Sequence, residues 1–170
     1  MGEGACTLSL YILGMALEIE RKFLVKDDSY KTMAYSASRI AQGYICSSRG
    51  RTVRVRSRDE KGYLTIKGPS DSQGLGRYEW EKEIPIQEAQ ELMRLCEPGM
   101  NDKTRYLVKS GKHVFEVDEF YGENEGLTMA EVELESADES YEKPDFIVEE
   151  ATGYVRYYNT FLMKNPFTRW

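Results

Sequence analysis

Leu17-Glu18-Ile19-Glu20-Arg21-Lys22-Phe23 is the stretch that decides the fold, because charged and apolar side chains alternate along it. On a β-strand, successive side chains point to opposite faces, so Glu18, Glu20 and Lys22 share one face. Carboxylates about 7 Å apart on one face repel each other unless a cation lies near them, and a hard divalent cation is the usual solution. A solvated edge strand explains the same pattern, so the rest of the chain has to decide.

Length and composition describe a single soluble domain. The chain has 170 residues, 41% hydrophobic and 31% charged. We expect residues 15–170 to form one domain after a loosely ordered extension of residues 1–14. The net charge of −6 disfavours general nucleic-acid binding. The apolar run at residues 6–13 is too short to span a membrane, so no membrane association is expected.

The three cysteines, Cys6, Cys46 and Cys96, have no paired spacing. They predict neither a disulfide framework nor a zinc site, but free thiols in a reducing cytoplasm. The single histidine, His113, follows Ser110-Gly111-Lys112 and is expected at a surface turn. Histidine-based catalytic triads and zinc sites therefore have little support.

Alternation of charged and apolar residues predicts about eight strands joined by short turns. After the opening strand they are expected at residues 38–46, 52–58, 62–68, 77–86, 103–108, 112–120 and 127–135. Residues 87–96 form the clearest helix, and shorter helices are expected within 29–35, from Ser136 to before Pro144, and after Thr152.

The charged faces of these strands are sorted by sign. Acidic pairs lie at 18/20, 79/81, 116/118 and 131/133, and basic pairs lie at 54/56 and 103/105. A two-layer sandwich with its charges outward remains an alternative, although a face that served only solubility would mix signs within each strand. We therefore predict an α+β, mainly β fold: an eight-stranded antiparallel closed β-barrel, or tunnel, with a charged interior and a few flanking helices. Its apolar outer faces need cover from helices or from a second copy in a homodimer.

These residues together resemble the CYTH superfamily, the triphosphate tunnel metalloenzymes, of the short bacterial type. The Glu-x-Glu-x-Lys signature is Glu18-Ile19-Glu20-Arg21-Lys22. The later family elements follow in order: Gln42-Gly43-Tyr44, Arg54-x-Arg56, Lys67, Glu79-x-Glu81, Lys103-x-Arg105, Glu116-x-Asp118, Glu131-x-Glu133 and Arg156-Tyr-Tyr-Asn. The resemblance covers residues 15 to about 162 and implies a tunnel that binds a triphosphate.

The resemblance also implies residue roles. Glu18, Glu20, Glu131 and Glu133 are the implied metal ligands for Mg²⁺ or Mn²⁺, with Glu79, Glu81 and Asp118 as supporting carboxylates. Arg54, Arg56, Lys67, Lys103, Arg105 and Arg156 are the implied phosphate-binding residues. Lys22 and Tyr44 are the implied catalytic residues, with Lys22 as either a general base or a phosphate contact.

The implied function is metal-dependent hydrolysis of a phosphoanhydride bond, with inorganic tripolyphosphate as the expected small-molecule substrate. Phosphoryl transfer mainly requires positioning and neutralisation of charge, which basic residues facing a carboxylate-held cation provide. Within the superfamily, a class IV adenylyl cyclase and a thiamine or nucleoside triphosphatase are alternatives. A non-catalytic polyphosphate- or nucleotide-binding module is an alternative of another class, and inward carboxylates argue against it.

Overall fold

A computed structural model describes residues 19–48, 50–70 and 77–170. Its nine strands are β1 (Ile19–Val25), β2 (Ser36–Cys46), β3 (Thr52–Arg58), β4 (Lys61–Ser70), β5 (Arg77–Ile84), β6 (Asn101–Ser110), β7 (His113–Tyr121), β8 (Thr128–Leu134) and β9 (Ile147–Glu150). Its α-helices are α1 (Tyr30–Met33), α2 (Ile86–Met93) and α3 (Asn159–Lys164), and 3-10 turns lie at Gly122–Asn124, Val155–Tyr157 and Phe167–Arg169. The mainly β class is confirmed, whereas the predicted extension at residues 1–14 lies outside the described residues.

The strands form one antiparallel sheet in the order β5-β4-β3-β2-β6-β7-β8-β1-β9. The predicted closed eight-stranded barrel is therefore wrong for the described residues: the sheet is open, and β5 and β9 are its two edges. An additional strand lies beside part of β1. Strand β9 pairs with β1 at Phe23 and Val25, while the Ala151 N–H donates to the Lys22 carbonyl oxygen at 2.7 Å. This half of the β1 edge is therefore occupied by β9 and not by β5.

Strand pairing aligns the charged residues across the sheet. Glu81 of β5 is the Cα partner of Thr65, which pairs with Arg54 of β3, which pairs with Tyr44 of β2. At the other end, Glu20 of β1 pairs with Glu133 of β8. Since residues from both ends line one cavity, the sheet must curve strongly, with its charged face on the concave side.

The main apolar core lies on the convex side. Phe23, Phe115 and Val132 alternate with the charged residues of their strands and are buried there. Tyr30 of α1 and Phe146, which precedes β9, cover them. The apolar half of each alternating pattern therefore packs outward, as the sequence predicts, under a short helix and a loop.

A second apolar cluster closes one end of the concave face. Phe120 is the Cα partner of Lys103, and Met129 is the Cα partner of Asp118, so these four side chains share that face. Leu162 of α3 packs on the apolar pair and is fully buried. Helix α3 thereby separates the charged cavity from solvent at this end.

Two helix predictions need correction. No helix begins at Ser136: the chain from there to Phe146 contains only turns and extended residues, which place Tyr141 and Phe146 on the core. The segment after Thr152 is a 3-10 turn followed by α3, not one continuous helix. The break at Tyr158, whose ψ of 139° is extended, changes which side chains turn toward the cavity.

Gly99 is where α3 meets the loop before β6, and we expect Gly99→Ala to destabilise the fold. Its φ is +95°, and an added Cβ would lie 2.2 Å from the Met163 carbonyl oxygen. Backbone strain and the clash together should lower the free energy of unfolding by about 2 kcal/mol or more, measured by urea denaturation. Gly153→Ala is the matched control, because its φ is +81° but nothing lies within 4 Å of its Cβ position. Equal losses for the two variants would contradict the packing of α3 on Gly99.

Candidate functional site

A cavity of about 960 Å³ lies on the concave face and is lined by side chains from β1 to β8. The predicted site residues that line it are Glu20, Lys22, Tyr44, Arg54, Arg56, Lys67, Glu79, Glu81, Lys103, Arg105, Glu131 and Glu133. Asp118 lies directly behind this lining, with its side chain 2% exposed. Residues that are scattered over the sequence are thus brought to one surface.

One predicted residue among those that the structure describes is not brought there. Arg156 is exposed, and its guanidinium lies 3.8 Å from the centre of the Trp170 ring, outside the cavity and contrary to the expectation. Because the 3-10 turn replaces a continuous helix, Tyr158, Asn159 and Thr160 line the cavity instead. Glu18 lies outside the described residues, so its role as a metal ligand stays a prediction.

Carboxylates of β1 and β8 face one another at one side of the cavity. Glu20 is the Cα partner of Glu133, and Lys22 is the Cα partner of Glu131. The Lys22 Nζ lies 2.5 Å from Glu131 Oε1 and 2.8 Å from Glu20 Oε1. Like charges that lie directly opposite one another destabilise a sheet unless a cation is near them. The lysine provides part of that positive charge.

Lys22 is held from both its side chain and its backbone. Its N–H donates to Thr152 Oγ1 at 3.0 Å, and its carbonyl accepts from the Ala151 N–H. Burial by itself lowers the pKa of Lys22, but the Glu131 and Glu20 carboxylates outweigh it and raise the pKa above its ordinary value. Lys22 is thus held between two carboxylates that are also expected to bind a cation, and its role as a general base or a phosphate contact stays a prediction.

Lys103, Arg105 and Asp118 form a buried ionic cluster at the centre of the sheet. Asp118 accepts from Lys103 Nζ at 2.5 Å and from Arg105 Nε and Nη2, each at 2.7 Å. Arg105 also pairs with Glu116 and, at 3.5 Å, with Glu131. Burial raises the pKa of Asp118, but Arg105 and Lys103 outweigh it and hold the pKa well below its usual range. The cluster therefore holds two positively charged side chains, those of Lys103 and Arg105, at the cavity surface.

The opposite wall carries the β3 arginines. Arg54 and Arg56 both pair with Glu81 of β5, at 3.3 and 3.1 Å. Thr65 donates to Glu81 at 2.6 Å, and this bond together with the arginines overcomes the effect of burial and lowers the pKa of Glu81. At the end of this wall, Lys67 Nζ lies 2.5 Å from Glu79 Oε2. The charged side chains of Arg54, Arg56 and Lys67 are therefore paired with carboxylates, which an incoming anion can replace.

Several donor atoms on β2 and β3 find no acceptor in the part of the chain that the structure describes. They are the buried Nε atoms of Arg54, Arg56 and Arg58 and the buried Nε2 of Gln42. Buried polar atoms are nearly always paired, so four orphan donors on one wall of one cavity indicate a place for an anion.

Sequence reasoning missed Gln42, Arg58, His113 and Tyr158 as cavity residues. Arg58 continues the spacing of Arg54 and Arg56, so alternation along β3 was a usable signal. His113 was expected at a surface turn, yet its Nε2 lies 3.1 Å from Glu139 Oε1 at the cavity mouth. No local pattern connects that pair, because the two residues meet only in the folded chain.

The carboxylates of the cavity fit a hard divalent cation. Within residues 19–48, 50–70 and 77–170, no three histidine, cysteine or acidic side chains are placed to hold a metal ion by themselves. Mg²⁺ is usually bound by one or two carboxylates together with substrate phosphates and water. The opposed Glu20 and Glu133 match that requirement, and carboxylate oxygens are also suitable ligands for Mn²⁺.

The chain matches the CYTH domain over residues 16–158. It is 47% identical over 154 residues to an inorganic triphosphatase of Acetivibrio thermocellus, covering 90% of this chain and 97% of the relative. An inorganic triphosphatase of Nitrosomonas europaea is 33% identical over 152 residues, covering 85% of this chain and 95% of the relative. These matches confirm the family resemblance that the sequence motifs indicate.

Solved structures agree with these matches. The crystal structure of an inorganic triphosphatase is 30% identical with a TM-score of 0.63, covering 88% of this chain and 95% of that one. A candidate adenylyl cyclase from Hippeastrum, described as having a dominant triphosphatase activity, is 18% identical with a TM-score of 0.54, covering 69% of this chain and 79% of that one. At that identity the second likeness shows the fold alone. The matched domain, the motifs and the cavity together place this chain in the CYTH domain family.

Proposed function

We propose that this protein is an inorganic triphosphatase that hydrolyses a phosphoanhydride bond of tripolyphosphate with the help of Mg²⁺ or Mn²⁺. One observation carries the proposal: a single cavity places the arginines of β3 across from the opposed carboxylates Glu20 and Glu133. Such a cavity suits a substrate that is both highly anionic and metal-bound. The two relatives named inorganic triphosphatase support the choice of substrate.

The phosphate-binding residues in this proposal are Arg54, Arg56, Lys67, Lys103 and Arg105. Arginine suits phosphate oxygens because its planar guanidinium donates two parallel hydrogen bonds. Arg54 and Arg56 pair with Glu81, and among the described residues the Nε of each has no acceptor. They are therefore charged and oriented before the substrate arrives, so little reorganisation is needed when it binds.

The proposed metal ligands are Glu20, Glu131 and Glu133, with Glu18 as a fourth. A bound cation would neutralise developing charge on the phosphoryl oxygens and orient the attacking water. Glu79, Glu81 and Asp118 act as supporting carboxylates that hold the cations of the cavity in position. Arg156 is not part of the proposed site, since it stacks on Trp170 outside the cavity.

Lys22 and Tyr44 complete the proposed catalytic residues. Lys22 lies among the carboxylates as an ammonium that donates hydrogen bonds to a phosphate oxygen or to water. Tyr44 is 6% exposed, lines the cavity and is the Cα partner of Arg54. Its hydroxyl is proposed to position the attacking water beside the phosphate that the arginines hold.

A substrate and product assay tests this function against its alternatives. With Mg²⁺ or Mn²⁺, we expect fast phosphate release from tripolyphosphate and slower release from ATP or thiamine triphosphate. A preference for ATP with cyclic AMP and pyrophosphate as products would favour a class IV adenylyl cyclase, and a preference for thiamine triphosphate or ATP hydrolysis would favour an organic triphosphatase. Tight binding of tripolyphosphate without release would favour a binding module. Each of these three outcomes contradicts the proposal.

Arg54→Ala is expected to weaken substrate binding more than turnover. Loss of a guanidinium that contacts phosphate removes hydrogen bonds to a charged group, so KM for tripolyphosphate should rise about ten- to a hundredfold. Steady-state phosphate release measures this change. Lys61→Ala is the matched control, because Lys61 is exposed and pairs with Glu83 away from the cavity lining. An unchanged KM in Arg54→Ala would place Arg54 outside the phosphate-binding residues.

We also propose a cytoplasmic location. Cys46 and Cys96 are free thiols, as expected in a reducing compartment. Among the described residues, no helix has the length and apolar character needed to cross a membrane. A homodimer is also part of the proposal, and its contact surface would include Ile66, Tyr78 and Trp80, which are exposed on the convex side of β4 and β5.

A further inference from the structure

We propose that Thr152 is a positioning residue for Lys22: its hydroxyl holds the β1 backbone at that lysine and thereby fixes where the side-chain nitrogen lies. The inference rests on the proposed function, in which Lys22 is a catalytic residue. Thr152 is exposed and does not line the cavity, so it acts through Lys22 and not on the substrate. It also lies outside the motifs that carry the family resemblance.

The hydrogen-bond ladder beside Lys22 is irregular. In a regular antiparallel pair, two opposite residues exchange two backbone N–H···O bonds. Ala151 donates its N–H to the Lys22 carbonyl oxygen at 2.7 Å, but the Ala151 carbonyl accepts from the Tyr154 N–H at 3.2 Å, in a turn where Gly153 has a φ of +81°. In the described part of the chain, the return bond from the Lys22 N–H to the Ala151 carbonyl is therefore missing.

The Thr152 hydroxyl supplies the missing acceptor. The Lys22 N–H donates to Thr152 Oγ1 at 3.0 Å. A hydroxyl can accept two hydrogen bonds and donate one, and the Glu150 carboxylate accepts the proton of this one, which lowers the pKa of Glu150. Glu150 also pairs with Arg21 at 2.9 Å. Arg21 and Glu150 thus orient the hydroxyl so that its oxygen faces the Lys22 N–H.

The side chain of Lys22 leaves little room for a shift of the backbone. It is 7% exposed, with Nζ 2.8 Å from Glu20 Oε1 and 2.5 Å from Glu131 Oε1. The same Nζ lies 6.0 Å from the centre of the Tyr158 ring. A displacement of about 1 Å at a reacting group can lower a rate about a hundredfold. A general base and a phosphate contact both need this nitrogen at one fixed place, so the inference holds for either role of Lys22.

The kinetic test removes the acceptor and keeps the shape. Thr152→Val leaves the Lys22 N–H unpaired, and we expect kcat/KM for tripolyphosphate to fall about tenfold. The fall should appear in the parameter, kcat or KM, that Lys22→Gln changes. Thr152→Ser retains the hydroxyl and should stay within about twofold of the wild type. Thr168→Val is the matched control, because Thr168 is also exposed and its hydroxyl donates to the Glu123 carbonyl oxygen at 2.7 Å, away from the cavity lining.

Nuclear magnetic resonance tests the positioning without any activity. The backbone amide of Lys22 should exchange its hydrogen about tenfold faster in Thr152→Val than in the wild type, because the acceptor is lost. The signal of the Lys22 ammonium, identified by its absence in Lys22→Gln, should shift in Thr152→Val but not in Thr168→Val. Circular dichroism should show that each variant is folded.

The outcomes separate this inference from the proposed function. An unchanged exchange rate at Lys22, faster exchange with full activity, or equal losses in Thr152→Ser and Thr152→Val would overturn the positioning role alone. A fall in the kinetic parameter that Lys22→Gln leaves unchanged would do the same. A wild-type protein that releases no phosphate would overturn the proposed function; a shifted ammonium signal in Thr152→Val would then keep the positioning of Lys22, and an unchanged signal would overturn that as well.

Discussion

Glu133→Gln is expected to lower metal-dependent phosphate release by at least about a hundredfold while the protein stays folded. The substitution keeps the shape of the side chain but removes one of two opposed carboxylates, Glu20 and Glu133, on β1 and β8. The remaining carboxylate holds a divalent cation less tightly, so higher metal concentrations should recover part of the activity. Phosphate release across a titration of Mg²⁺ and Mn²⁺ measures both effects.

Glu149→Gln is the matched control for this result. Glu149 is exposed on β9, does not line the cavity and undergoes the same change in charge. Its activity and metal dependence should equal those of the wild type. Full activity in Glu133→Gln would remove Glu133 from the metal ligands and would leave the acidic side of the cavity without its assigned role.

The second large effect concerns stability: Asp118→Asn should lower the free energy of unfolding by about 3–5 kcal/mol. Asp118 is 2% exposed and accepts hydrogen bonds from Lys103 and Arg105. The Lys103 side chain is also 2% exposed, so the substitution leaves a buried cation without its counter-charge. Because domains of this size are stable by only about 5–15 kcal/mol, urea denaturation at neutral pH should show a large shift.

The difference in the free energy of unfolding between the wild type and Asp118→Asn depends on pH through the pKa of Asp118. Arg105 and Lys103 hold that pKa below its ordinary value in the folded state, despite burial. The contribution to stability is therefore fully present above the unfolded pKa of about 3.9 and is lost as pH falls toward the folded pKa. The gap between wild type and Asp118→Asn should shrink below about pH 4.

Asp102→Asn is the control on the same strand as Lys103. Asp102 pairs with Arg39, but both side chains are about half exposed, at 41% and 52%. An exposed ion pair contributes about 0–1 kcal/mol, so the loss should be small. A loss of similar size in Asp102→Asn and Asp118→Asn would show that the buried ion pairs contribute no more to the free energy of unfolding than an exposed pair does.

The sequence alone predicts most of the cavity because alternation is a local property. Glu79 and Glu81, Arg54 and Arg56, and Glu131 and Glu133 each lie two residues apart on one strand, so their shared face follows from strand geometry. The assignment of apolar residues such as Phe23 to the opposite, packed face follows from the same rule. The sign of each strand does not by itself assign the walls, because Glu81 of acidic β5 pairs with Arg54 and Arg56 of β3.

What the sequence does not predict depends on contacts between distant segments. The ninth strand, β9, has only four residues, and its place beside β1 is fixed by backbone hydrogen bonds that join Lys22 to Ala151 and Lys26 to Phe146, more than a hundred residues apart. Arg156 lies in a 3-10 turn that the extended residue Tyr158 separates from α3, and its side chain therefore does not follow the positions of one continuous helix. His113 reaches the cavity mouth through Glu139, which no helix or strand pattern connects to it.

The most direct test of the account is phosphate release from tripolyphosphate by the wild-type protein, measured with Mg²⁺, with Mn²⁺ and with EDTA. The account predicts rapid release with at least one of the two cations and none in EDTA, because the arginine wall and the opposed carboxylates act on a metal-bound triphosphate. Equal release in EDTA, or no release with either cation, would contradict it.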